Sequence, residues 1–96
     1  MPLETLLFDS ARHLKTEEDI ALYLQAILEE NEPGLFAHAL GQVARAKGMT
    51  QLARETGLAR EALYRALSAE GNPELATVMK VMKALGLHLS AATARP

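Results

Sequence analysis

The chain has 96 residues, neither Cys nor Trp, and ten Lys and Arg against twelve Asp and Glu, for a formal net charge of −2. That length suits one domain and excludes a bilobal enzyme, a dinucleotide-binding Rossmann unit or a repeat solenoid, while a hydrophobic fraction of 49% excludes a disordered tail. No apolar run approaches the roughly 20 residues of a membrane span, Met1-Pro2-Leu3-Glu4 lacks a signal peptide's basic start, and zero Cys removes disulfides and thiolate metal sites, so the expected location is the cytoplasm.

Ala and Leu dominate and aromatic residues make up 4%, so apolar spacing at steps of three and four sets the predicted elements. Thr16-Glu17-Glu18-Asp19 reads as a capping box, with Asp19 standing in for the usual Glu. Ile20, Tyr23, Leu24, Ile27 and Leu28 follow, predicting a helix over about residues 16–30. Asn31-Glu32-Pro33-Gly34 breaks it, and Pro33 suits the first position of a second helix. That helix has Leu35, Phe36, Leu40, Val43 and Ala44 as its stripe and Gly48 as its stop. Thr50 is expected to cap a short helix ended by Gly57, and another runs from Arg60 to about Ser68. Gly71-Asn72-Pro73 is a turn. Leu75, Val78, Met79, Met82 and Leu85 then stripe a last helix, closed by Gly86, with Met79 and Met82 expected inside. Leu87 to Ala91 alternates like a short strand, and Leu6-Leu7-Phe8 either pairs with it or covers the core. The expected fold class is therefore all-α, five helices with short terminal β-strands as an option.

The residues from Leu52 to Leu67 carry the functional signal. Ala53 is small enough for two helices to cross closely, Gly57 tolerates the positive φ of a tight turn, and Leu52, Leu58, Leu63 and Leu67 fix both helices on a shared core. This is the pattern of a helix-turn-helix. Arg60, Glu61, Tyr64, Arg65 and Ser68 then face outward, and near the N-terminus of a groove-entering helix such residues meet base edges. Arg bonds guanine bidentately, Glu accepts from cytosine, and Tyr reaches a phosphate or a thymine methyl. Gln51, Arg54 and Ser68 are the expected phosphate contacts. The plainer alternative is a helical hairpin that merely shows such a face.

Several segments together resemble a known family. They are Tyr23-Leu24, Ala44-Arg45-Ala46-Lys47-Gly48-Met49, Gln51 to Leu58, Arg60 to Leu67, and Glu70-Gly71-Asn72-Pro73. With the Val78 to Leu87 helix end, the region from Gly57 onward is similar to the Cro/C1-type, lambda-repressor-like helix-turn-helix domain. More narrowly, residues from about 8 to 91 resemble the probable addiction-module antidote family. The resemblance implies an antitoxin of a type II toxin–antitoxin module that binds its operator, represses its own operon and neutralises a small basic RelE/HigB-like toxin. Two departures stand out. Thr50 lies only two residues before Leu52, leaving Gln51 either a phosphate contact or part of the cap, and Ala59 occupies a position usually taken by a capping Ser or Thr.

Charge is segregated. Residues 1–32 carry −6, residues 43–68 carry +3 through Arg45, Lys47, Arg54, Arg60 and Arg65 against Glu55 and Glu61, and the remainder carries +1. The basic balance falls on the hairpin, and Arg45 and Lys47 just before it are either phosphate anchors or ordinary solvated charges. The acidic first third is either a toxin-binding face or a solvated helix surface.

His13, His38 and His88 lack metal-ligand spacing, and no Ser, His or carboxylate arrangement resembles catalytic machinery. No enzyme activity, cofactor or metal is expected. One helix-turn-helix domain is expected over residues 1–96, with an acidic extension and helix over 1–32, a core over 33–86, its reading hairpin over 50–68, and a strand or tail over 87–96. A domain this small gains from a second subunit, and paired helices about 34 Å apart read a pseudo-palindrome, so a homodimer is expected. The last helix with Leu87 to Leu89 is the first choice for its contact. The competing readings are a stand-alone repressor and a protein-interaction module with vestigial DNA binding.

Overall fold

A computed structural model describes residues 16–94, which form five helices and no strand. Helix α1 spans Glu17–Leu28, α2 Pro33–Lys47, α3 Met49–Thr56, α4 Arg60–Ala66 and α5 Leu75–Ala84.

Thr16 caps α1 as the sequence predicts, its hydroxyl oxygen accepting the Asp19 backbone N–H at 3.0 Å. Glu17, Glu18 and Asp19 occupy the first turn, where carboxylates complement the positive end of the helix dipole. Pro33 opens α2 with its fixed φ and no backbone donor to satisfy. Gly48 then serves two helices at once. Its N–H donates to the Ala44 carbonyl at 2.9 Å, ending α2, and its carbonyl accepts from Leu52 at 3.0 Å, starting α3. Helix α3 therefore begins one residue before the expected cap, and Thr50 lies exposed within its first turn. A cap needs an extended residue with a free side-chain oxygen, and the direct junction at Gly48 leaves no room for one.

Gly57 sits at φ 76° and ψ 12°, the left-handed conformation that closes α3 with little steric cost only in glycine. The Thr56 hydroxyl reinforces the turn, donating to the Leu52 carbonyl at 2.8 Å and accepting from Leu58 N–H at 3.3 Å. Helix α4 starts at Arg60 without any side-chain cap from Ala59, and stops at Ala66, two residues earlier than expected. Leu67 has turned to ψ 48°, and the Ser68 hydroxyl donates to the Arg65 carbonyl at 2.9 Å.

The end of α5 explains why Leu87 to Ala91 forms no strand. Gly86 donates to the Lys83 carbonyl and Leu87 donates back to the Met82 carbonyl at 2.8 Å, the paired bonds of a Schellman cap. The Leu87 N–H is thereby spent on the helix, and residues 87–94 continue without regular structure. The pairing option for Leu6-Leu7-Phe8 lies outside the described residues.

The core joins all five helices through Leu24, Leu40, Val43, Leu52, Leu63, Leu67, Val81 and Leu85, each at most 2% exposed. Helix α1 packs on α2, α2 on α3, and α3 on both α4 and α5. Two expected core positions on α5 are instead exposed, Leu75 at 67% and Met79 at 53%. The buried stripe runs through Val78, Val81, Met82 and Leu85, rotated from the predicted one by about one residue.

Candidate nucleic-acid interface

The α3–α4 pair is built from the inside outward. Leu52 and Leu63 are buried and Leu58 is half-buried against the same cluster, which fixes both helices on α2 and α5. The three-residue turn 57–59 then carries the chain into α4, and helical spacing leaves Arg60, Glu61, Tyr64 and Arg65 exposed on its outer side.

Behind α4, support comes from backbone contact. A Cβ on Gly41 of α2 would overlap the Leu67 carbonyl oxygen, and one on Gly34 would lie 2.7 Å from the Ala69 carbonyl oxygen. These glycines stand seven residues apart, two turns along one side of α2, and let the helix lie flush against the chain that leaves α4. Sequence reading took α2 only for its apolar stripe and missed them, although two glycines at a seven-residue interval in a predicted helix are a legible signal.

The structure also brings α2 to the outer face of α4. The Arg45 guanidinium carbon lies 5.6 Å from the centre of the Tyr64 ring, and that of Arg60 lies 5.7 Å from the same centre. Distances in this range give the attraction of a cation for an aromatic face. Arg45, separated from Tyr64 by nineteen positions in sequence and expected as either a phosphate anchor or a solvated charge, thus lies against the outer face of α4.

Of the remaining predicted residues, Lys47, Gln51 and Arg54 are exposed. The Gln51 side-chain amide donates to the Glu55 carboxylate at 3.2 Å. Ser68 is half-buried with its hydroxyl engaged on the α4 terminus. Away from this face, burial pushes the Tyr23 phenol up to about 12. Among the described residues, no three His, Cys, Asp or Glu side chains come together to hold a metal ion, and His13 lies outside those residues. No described helix is long and apolar enough to cross a membrane.

Residues 4–93 match the family described as probable addiction module antidote proteins. The chain belongs to that family. An antidote of an addiction module implies a toxin as its partner and a regulatory rather than an enzymatic role. An uncharacterized protein of Haemophilus influenzae Rd is 54% identical over 88 residues, covering 92% of this chain and 91% of its own. No solved structure matches the chain.

Proposed function

We propose that this antidote-family chain is a helix-turn-helix antitoxin that binds operator DNA as a homodimer, represses its own operon and neutralises a small basic RelE/HigB-like toxin. The observation that carries the reading is the exposed cationic face around the Gly57 turn, with Arg45, Arg60, Tyr64 and Arg65 converging on α4. An α-helix fits the major groove, and cations flanking it neutralise phosphates on both sides. In this reading Glu61 and Arg65 reach base edges, Arg60 and Tyr64 bracket them, and Lys47, Gln51, Arg54 and Ser68 hold the backbone.

Apolar surface supports the other two partners. Leu75 and Met79 are exposed on α5, Met79 beside Leu87 and Leu89, which suits a second copy of the chain. A groove of about 910 Å³ between α1 and residues 87–94 has Leu24, Leu28, Met82 and Leu89 in its walls and Glu29 at its edge. Six carboxylates and no Lys or Arg occur from Thr16 through Glu32, which suits a basic toxin here and makes DNA contact on this side unfavourable.

A gel shift with the DNA upstream of the protein's own coding frame tests the central claim, and absence of a shift at low salt overturns it. Arg65→Ala is expected to weaken specific binding by about 1–3 kcal/mol and relax one base position. Arg54→Ala is expected to weaken binding to every sequence alike and flatten its salt dependence.

A further inference from the structure

We infer that Tyr64 is a positioning residue, whose ring holds Arg45 and Arg60 as an unneutralised pair of cations for two phosphates of one DNA strand. The inference rests on the DNA-binding reading above and adds a division of labour within it.

The starting observation is that two guanidiniums share one ring. Each lies within 6 Å of the Tyr64 centroid, so the two charges are no more than about 11 Å apart. Like charges at such separations repel, and the negative face of the ring offsets that repulsion. Neither guanidinium has a carboxylate partner among the described residues, although Glu61 is adjacent to Arg60 in sequence.

The choice of holder matters. A carboxylate would restrain an arginine equally well, but it would cancel the charge and compete with any incoming anion. An aromatic ring restrains the side chain and leaves its positive charge and hydrogen-bond donors available. Free arginine side chains lose rotamer entropy when they bind, and stacking on the ring removes part of that loss beforehand. The sources of the two arginines strengthen the point. Arg45 comes from the last turn of α2 and Arg60 from the first residue of α4. The ring therefore ties two separately mounted helices to one anionic track. Tyr64 itself is 37% exposed, so part of its ring surface is covered without its being a core residue.

The test is a salt titration of binding to a mixed-sequence duplex of about 30 base pairs, long enough to cover the roughly 34 Å spacing of paired half-sites. Wild type is compared with Tyr64→Leu, Tyr64→Phe, Arg45→Ala and Arg60→Ala. Each arginine variant is expected to lower the slope of log affinity against log salt by about 1.8, one phosphate contact in each protomer of the dimer. Tyr64→Leu is expected to keep the wild-type slope while losing about 5- to 30-fold in affinity, because both charges remain but are no longer held. Tyr64→Phe keeps the aromatic face and is expected to bind within about threefold of wild type. In the free protein, the ring-current displacement of the Arg45 and Arg60 δ-proton resonances should persist in Tyr64→Phe and vanish in Tyr64→Leu.

Equal losses in Tyr64→Phe and Tyr64→Leu would make the hydroxyl the contact and overturn the inference. Wild-type affinity in Tyr64→Leu would overturn it too. Both outcomes leave DNA binding standing, whereas a wild-type protein that binds no duplex at low salt removes the DNA-binding reading and this inference together.

Discussion

Gly41 sets two rules of helix stability against each other. Alanine in a helix interior is favoured over glycine by about 1 kcal/mol. Here its methyl group would meet the Leu67 backbone carbonyl, which cannot swing aside as a long side chain would. Overpacking of this kind costs about 1–3 kcal/mol, so Gly41→Ala is expected to destabilise the protein, as urea denaturation would show. Tyr23 gives a second prediction at this scale. Burial holds its phenol neutral up to about pH 12, against the ordinary value of 10.0. Between these values the unfolded chain releases a proton that the folded chain retains, so stability falls as pH rises through that window. The contribution is complete below pH 10 and lost above pH 12, and thermal denaturation of wild type against Tyr23→Phe across the window would display it. Single residues with a local task were legible in the sequence: Thr16 as a cap and Gly57 as a left-handed turn both stand where their chemistry requires. Gly41 and Arg45 were harder to place, because each takes its role from a neighbour far away in sequence.

At the level of elements, α4 is the least self-sufficient helix, with seven residues and no side-chain cap at its start. Ala59 already has the extended backbone of a cap, with φ −65° and ψ 139°. Ala59→Ser needs only to add the hydroxyl, and a gain of about 0.5–2 kcal/mol is expected from denaturant unfolding. The number and order of helices were readable because each has a strong start, stop or stripe. Two details escaped for definite reasons. Gly48 closes one helix and opens the next, while local rules look for a separate stop and start. The apolar stripe of α5 is broad, and periodicity alone cannot say which of its edges turns inward. Met79 and Leu75 fell on the wrong edge, and Val81 was overlooked at the centre of the buried one.

For the whole molecule, the net charge of −2 hides a division between an acidic α1 and a basic face around α4. The misplaced edge of α5 gains meaning at this scale. Leu75 and Met79, expected to serve the core, instead add exposed apolar surface, Met79 beside Leu87 and Leu89, and a dimer would cover it. Met79→Lys is expected to shift the protein toward its 10.4 kDa monomer in sedimentation equilibrium while leaving the helical signal intact. The same variant should weaken operator binding without altering the preferred half-site, since α4 is untouched. The seating of the chain that leaves α4 on Gly34 and Gly41 has a different consequence. At both glycines the nearest contact is a backbone carbonyl, and every amino acid carries the same carbonyl. That part of the mount is indifferent to the letters it holds, and the sequence-dependent part is confined to the inward Leu63 and Leu67. New side chains can be written on the outer surface of α4 without refitting this support, so in the proposed DNA-binding role a change of target sequence and the upkeep of the fold become separate problems for this chain.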